Sequence, residues 1–251
     1  MNRCPEISRR RFLKNVLAGA ALGPGLTALG ADFDHLRGDR VGWARLKTPS
    51  QWWKRHAETD PVLMRFFHDN TSLSLDPIWR VADVEQFDQM CKFPLLFSQG
   101  VDTVQTETGR ANIAEYIRRG GFLLIDACID DRVTPDPDVF LSRQKELLES
   151  VLPESRMLNV PGEHAVFRCL FDIPEHKPPQ THTFYYKRDD PRWAKHGLYE
   201  VQIGARAAGV ITLHGLQCGW ARVGRPPPEG HDIACMRTLV NIYVYAMMQG
   251  A

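Results

Sequence analysis

The chain has 251 residues, 43% of them hydrophobic and 24% charged, ordinary values for a globular protein with room for one sizeable core. Lys plus Arg number 31 against 30 Asp plus Glu, a formal charge of +1, so no strongly basic face for nucleic acid is expected. No apolar run approaches the roughly 18 unbroken residues that a membrane-spanning helix needs.

The N-terminus reads Ser8-Arg9-Arg10-Arg11-Phe12-Leu13-Lys14, followed by a weakly apolar stretch over residues 15–30 that is rich in Ala and Gly. A basic start, a modest apolar segment and a small-residue exit form the pattern of a twin-arginine export signal. Cleavage is expected after Gly30, with residues 8–14 engaging the twin-arginine translocation machinery. Pro24 and the glycines at 19, 23 and 25 make a permanent membrane helix a poor reading. Removal of residues 1–30 takes away five cations and one anion and leaves the rest at net −3. The expected location is the periplasm or another exported space, and residues 31–251 are expected to form one α/β domain with a core over about 40–248.

Of six cysteines, Cys4 leaves with the signal. Five remain, an odd number spread over a long chain, which is not a disulfide framework, although one or two bridges can form after export. The absence of CxxC removes zinc-ribbon and thioredoxin-type readings.

Beyond the signal, residues 41–47 read as a strand, and Ser50-Gln51-Trp52-Trp53 opens a short helix or loop. Thr59-Asp60-Pro61 starts a helix, with Thr59 or Asp60 as its cap and Pro61 in its first turn. Leu63, Phe66 and Phe67 then share one face over residues 62–69. A second strand is expected over 78–84. Residues 93–98 (FPLLFS) are continuously apolar, the pattern of a strand buried on both faces of a parallel sheet. A helix over 106–119 stops at Gly120-Gly121, and 122–127 (FLLIDA) is another buried strand. A helix over 138–152, a short strand over 157–160, a strand pair over 198–203 and 209–213, and a closing helix over 232–248 complete the series. Strands alternating with helices imply a mostly parallel sheet covered on both faces. Three polar segments, 129–138, 174–197 and 215–231, interrupt this order. Loops of this length are commonly functional, and the first and third follow the C-terminal ends of strands, the edge where open α/β sheets bind ligands.

The run Tyr116-Ile117-Arg118-Arg119-Gly120-Gly121 into Phe122-Leu123-Leu124-Ile125-Asp126 is similar to the glutamine amidotransferase-like α/β proteins. Phe93-Pro94-Leu95-Leu96-Phe97, Gly162-Glu163-His164-Ala165-Val166-Phe167, Cys218-Gly219-Trp220 and Asn241-Ile242-Tyr243-Val244-Tyr245-Ala246 narrow this. Together they resemble domain-of-unknown-function family 4159 over about residues 40–248. The resemblance implies a flavodoxin-like sheet and no particular activity. The chain departs from the family's habits in three places. Ser98-Gln99-Gly100-Val101 stands where Thr-Gly-His-Gly is usual, Ala127-Cys128 follows Asp126 in place of a second aspartate, and His164 is followed by Ala165 instead of proline.

The same resemblance places Cys128, Gly100 and His214 where a glutamine amidotransferase keeps its nucleophile, its oxyanion-hole glycine and its base. The chemistry would be thiolate attack with backbone N–H groups on the oxyanion. Against it, Gly-x-Cys-x-Gly is absent, and His214 has Leu216 where a glutamate would follow. The flanking Asp126, Asp130 and Asp131 would also raise a thiol pKa. A second possibility gathers Asp126, Asp130 and His164, with Asp131, at one sheet edge as a divalent metal site. No HExxH, HxH or DxDxDG spacing supports it. His176, His182, Tyr185 and Tyr186 read as exposed loop residues. Trp52-Trp53 packs on the sheet edge or forms a platform for a sugar or peptide. Cys218-Gly219-Trp220 reads as structural, its glycine permitting close packing. No motif fixes a cofactor, and GxGxxG, P-loop and GxSxG are all absent. The leading expectation is a non-catalytic exported binding or accessory domain. The alternative is a hydrolase using Cys128 and His214 or the carboxylate-histidine metal site.

Overall fold

The computed structural model describes residues 42–183, 190–222 and 228–249. The export signal, the cleavage point, Tyr185 and Tyr186 lie outside them.

Seven strands form one sheet: β1 (Ala44–Lys47), β2 (Arg80–Asp83), β3 (Leu95–Ser98), β4 (Phe122–Asp126), β5 (Ser155–Asn159), β6 (Leu198–Ile203) and β7 (Arg206–Thr212). Their order is β2-β1-β3-β4-β7-β6-β5. The first five in that order pair in parallel. The hairpin of β6 and β7 is antiparallel, and β5 pairs antiparallel with β6. The fold is therefore α/β with a mostly parallel sheet. β3 and β4, the two continuously apolar runs, are buried along their whole length, as strands covered on both faces must be.

The helices are α1 (Asp60–Asn70), α2 (Phe87–Met90), α3 (Glu107–Arg118), α4 (Pro137–Val151), α5 (Pro191–Ala194), α6 (Leu216–Trp220) and α7 (His231–Met248). α1 and α7 cover one face, packing Leu63, Phe67, Leu239 and Tyr243 against Trp43, Phe97 and Leu124. α2, α3 and α4 cover the other, packing Met90, Ile113, Ile117 and Leu148 against Leu46, Leu96 and Ile125. A helix on each face follows from crossovers that run in opposite directions with one handedness: β1-α1-β2 toward one edge and β3-α3-β4 toward the other.

The long elements sit where their periodicity placed them. The short helices α2, α5 and α6 were not expected, because four or five residues carry no readable period. α6 opens the segment 215–231 that reads as a loop. His182 also differs from expectation: it is buried and stacked on Trp193, with centroids 5.9 Å apart. Cys218-Gly219-Trp220 lies within α6, and a Cβ on Gly219 would come within 2.3 Å of Cys235 Sγ.

Asp60 also departs from the expected helix cap. It begins α1 but caps nothing; its carboxylate accepts from Arg45 Nε at 2.7 Å and Nη2 at 2.6 Å, and from Trp43 Nε1 at 3.0 Å. Arg45, on β1, and Asp60 are both fully buried. The second terminal nitrogen of Arg45 donates to the carbonyls of Trp53 and Arg55, each at 3.0 Å. Thr59, the other candidate cap, makes no capping bond. A buried cation outcompetes backbone N–H groups for a carboxylate.

Removing one member of a buried ion pair costs about 3–5 kcal/mol, because the other is left uncompensated. Arg45→Ala should therefore lower the urea midpoint sharply. The double variant Arg45→Met/Asp60→Leu should recover much of that loss in the same titration.

Candidate functional site at the sheet switch point

The chain leaves β1 toward β2 at one edge of the sheet and leaves β3 toward β4 in the opposite direction. The C-terminal ends of β1 and β3 thus flank a topological switch point, the crevice where open α/β sheets hold ligands. A cavity of about 240 Å³ lies there.

Its wall after β1 is Ser50, Trp52 and Trp53. The last two stand on a single 3-10 turn over Gln51–Lys54, which Ser50 caps by accepting from the Trp52 N–H at 3.2 Å. The Arg55 guanidinium lies 5.3 Å from the Trp52 ring centre, within cation–π range. Both tryptophans are half-buried.

The floor after β3 contains Gln99, Gly100 and Asp102. Gly100 has φ +140°, and a Cβ there would meet Asp102 Oδ1 at 3.0 Å, which favours glycine at this turn. Gln144, fully buried on α4, staples the turn. Its Oε1 accepts from the Val101 N–H at 2.7 Å, and its Nε2 donates to Asp102 at 2.8 Å. Thr134, Asp136 and Arg143 close the cavity from the β4–α4 side. Asp136 caps α4, accepting from the Asp138 and Val139 N–H groups at 2.9 and 3.0 Å.

Two buried polar atoms on cavity-lining residues, Gln99 Oε1 and Thr134 Oγ1, have no hydrogen-bond partner among the described residues. Such a group costs about 1–3 kcal/mol. Gln99 is held from its other end, where Nε2 donates to Gln217 of α6.

The expected thiol site is arranged differently from an amidotransferase. Cys128 follows β4 and is buried, and its sulfur lies 3.6 Å from that of Cys218 on α6. His214 Nδ1 lies 3.2 Å from Thr212 Oγ1, and no hydrogen bond joins it to Cys128 among the described residues. The Gly100 N–H is engaged by Ser98 Oγ at 3.2 Å, and the Val101 N–H by Gln144. The structure therefore brings together neither Cys128 with His214 nor a free pair of N–H donors at Gly100.

The three residues expected around a metal have separate partners. Asp126 accepts from the Leu216 and Gln217 N–H groups at 3.0 and 2.8 Å, at the start of α6. Asp130 pairs with Arg55 and Arg132. His164 Nε2 lies 3.4 Å from the Tyr245 hydroxyl and 3.5 Å from Glu200. No group of three or more His, Cys, Asp and Glu is arranged to hold a metal ion among the described residues.

Burial governs the ionisation of this edge. It pushes Asp126 up to about 7 against the pull of its backbone donors. It pushes His214 down to about 3, assisted by His182 and His196 nearby. The hydrogen bond from Cys218 holds the Cys128 thiol down at about 7, and Cys218 itself is raised. Arg132, then Arg55, holds Asp130 down at about 2.

Residues 43–247 match a domain of unknown function, DUF4159. The chain belongs to that family. The match covers β1 through α7, so the DUF4159 domain is the whole sheet with its helical cover, and the switch-point cavity lies inside it. No functionally curated protein matches the chain. Of the residues around this DUF4159 cavity, Gly100 and the two tryptophans stand out in the sequence, whereas Gln99, Thr134 and Gln144 do not. Isolated amides and hydroxyls carry no spacing signal, and only the fold brings them together.

Asp126 and His214 tilt stability in opposite directions. Folded, Asp126 keeps its proton up to about 7, whereas the unfolded chain loses it near 3.8, so its contribution falls as pH rises through that window. His214 stays neutral down to about 3, whereas the unfolded chain takes a proton near 6.5, so its contribution falls as pH drops. Asp126→Asn removes the first slope. Urea midpoints from pH 7 down to about 4 should then decline more steeply than in the parent, and an equal or shallower decline would contradict this assignment.

Proposed function

We propose that this DUF4159 protein is an exported, non-catalytic binding or accessory domain of glutamine amidotransferase-like, flavodoxin-like architecture. Its ligand sits in the cavity at the switch point. The observation that carries this reading is the loss of nucleophile geometry beside an intact crevice. Cys128 faces a second thiol instead of a histidine, and the amide groups at Gly100 and Val101 are already bonded within the protein. The cavity retains two tryptophans and unpartnered polar atoms on Gln99 and Thr134, the mixture that small-molecule sites use for contact area and orientation.

The hydrolase reading keeps one observation in its favour, the Cys128 thiol held near 7. A thiol half-ionised at neutral pH is a competent nucleophile. One experiment separates the two. The full chain and Cys128→Ala are assayed for release of ammonia from glutamine and for hydrolysis of an activated ester. No turnover above buffer in either is expected. Turnover in the parent that Cys128→Ala abolishes would overturn the binding reading in favour of the hydrolase.

Export supports the accessory role, and its basis is the sequence Arg9-Arg10-Arg11-Phe12-Leu13-Lys14. Replacing Arg9 and Arg10 together by Lys should hold the precursor in the cytoplasm. Fractionation showing unchanged export would reject the twin-arginine route.

A further inference from the structure

We propose that the ligand of the switch-point cavity is a saccharide, one sugar ring at a time, laid against Trp53 and hydrogen-bonded through its hydroxyls to Gln99 and Thr134. This rests on the binding reading above and adds the ligand's chemical class.

Size comes first. About 240 Å³ lies just below the roughly 300–1,000 Å³ of typical drug-sized ligand sites. It suits one ring and excludes a dinucleotide.

Charge comes second. In α/β folds an anionic ligand usually takes the N-terminus of a helix at this edge. Here the chain's own carboxylates hold those ends: Asp136 at α4 and Asp126 at α6. The cavity lining has Asp102 and Asp136 against Arg143 and contains no lysine. A phosphate or carboxylate would find the helix ends occupied and carboxylates beside it.

Hydrogen-bonding character comes third. The unpartnered amide atom on Gln99 is an acceptor, and the Thr134 hydroxyl both accepts and donates. The lining sets donors, on Arg143 and the two indoles, beside the two carboxylates. The ligand that matches both donates and accepts. Each ring hydroxyl of a sugar does both, so it satisfies Thr134 in either sense.

The aromatic wall comes last. Trp52 is overlaid by the Arg55 guanidinium, whereas among the described residues no ring or guanidinium stacks on Trp53. The main chain at Trp53 is anchored by Arg45 from beneath, so the indole is offered on a rigid turn. A flat indole beside polar acceptors fits a pyranose, whose axial C–H groups make an apolar face while its hydroxyls project around the rim. Arg143 at the cavity offsets one of the two carboxylates, and the alkylammonium class is the alternative that the lysine probe tests.

The test is isothermal titration of the full chain with glucose, galactose, N-acetylglucosamine and their β-linked disaccharides. Lysine and inorganic phosphate serve as comparison probes. The expected result is saturable binding of at least one sugar, weakened tenfold or more by Trp53→Ala and by Gln99→Leu, and largely kept by Trp53→Phe. Circular dichroism of each variant checks that the fold is retained. Sugar binding that these substitutions leave unchanged would overturn the assignment to this cavity. Binding of lysine or phosphate with the same sensitivity, and of no sugar, would overturn the saccharide class while leaving the binding domain standing. Binding of none of the probes would overturn the saccharide class, while the binding reading is decided by the turnover assay.

Discussion

The buried pair of Arg45 and Asp60 ties three parts of this molecule to one another. Arg45 is on β1, Asp60 opens α1, and the carbonyls of Trp53 and Arg55 belong to the turn between them. A guanidinium has five donors in a fixed plane, and here four contacts use them: two to the carboxylate and one to each carbonyl. The arrangement carries a large desolvation cost, and a hydrophobic replacement of the pair can match it in stability. What such a replacement would lose is the position of the 3-10 turn, because nothing apolar can hold two carbonyl oxygens. The ion pair is thus tied to the shape of the cavity wall more than to the stability of the core.

The opposite wall is built on the same principle with different chemistry. Gln144 reaches from α4 to the turn after β3, occupying both the Val101 N–H and the Asp102 carboxylate. Gln217 reaches from α6 to Gln99 and to the Arg55 carbonyl. Arg55 therefore receives bonds from β1 and from α6, and in turn engages Asp130 after β4. The loops around the crevice are stapled by buried side chains and not left to solvent. A preorganised site binds without first ordering its walls.

Much of the fold was legible in the sequence because its signals are local. β3 and β4 are short apolar runs, and α3, α4 and α7 are long enough to show a period. The misreadings have one physical origin, partners far away in sequence. Asp60 looks like a cap until Arg45 is folded beneath it. His182 looks like a loop residue until Trp193 stacks on it. α6 has five residues and no period, and depends on Asp126, ninety residues earlier, for the acceptors at its start. The candidate site was legible in part. The glycine of the β3 turn and the paired tryptophans are unusual enough to notice, whereas Gln99, Thr134 and Gln144 gain meaning only from juxtaposition.

The sheet edge also gives Cys128 surroundings unlike those of a thiol nucleophile. A thiolate enzyme requires a base or cation beside the sulfur and unoccupied donors facing the reacting oxygen. At Cys128 the sulfur of Cys218, 3.6 Å away, stabilises the thiolate together with the Asp130 backbone N–H and the Arg55 charge, but it cannot serve as the base of an acyl transfer. His214 is buried, kept neutral, and turned to Thr212. The donors at the Gly100 turn are spent on Ser98 and Gln144. The polar groups of this edge are engaged in holding its loops in place. The low thiol pKa of Cys128 reports chiefly the second cysteine beside it.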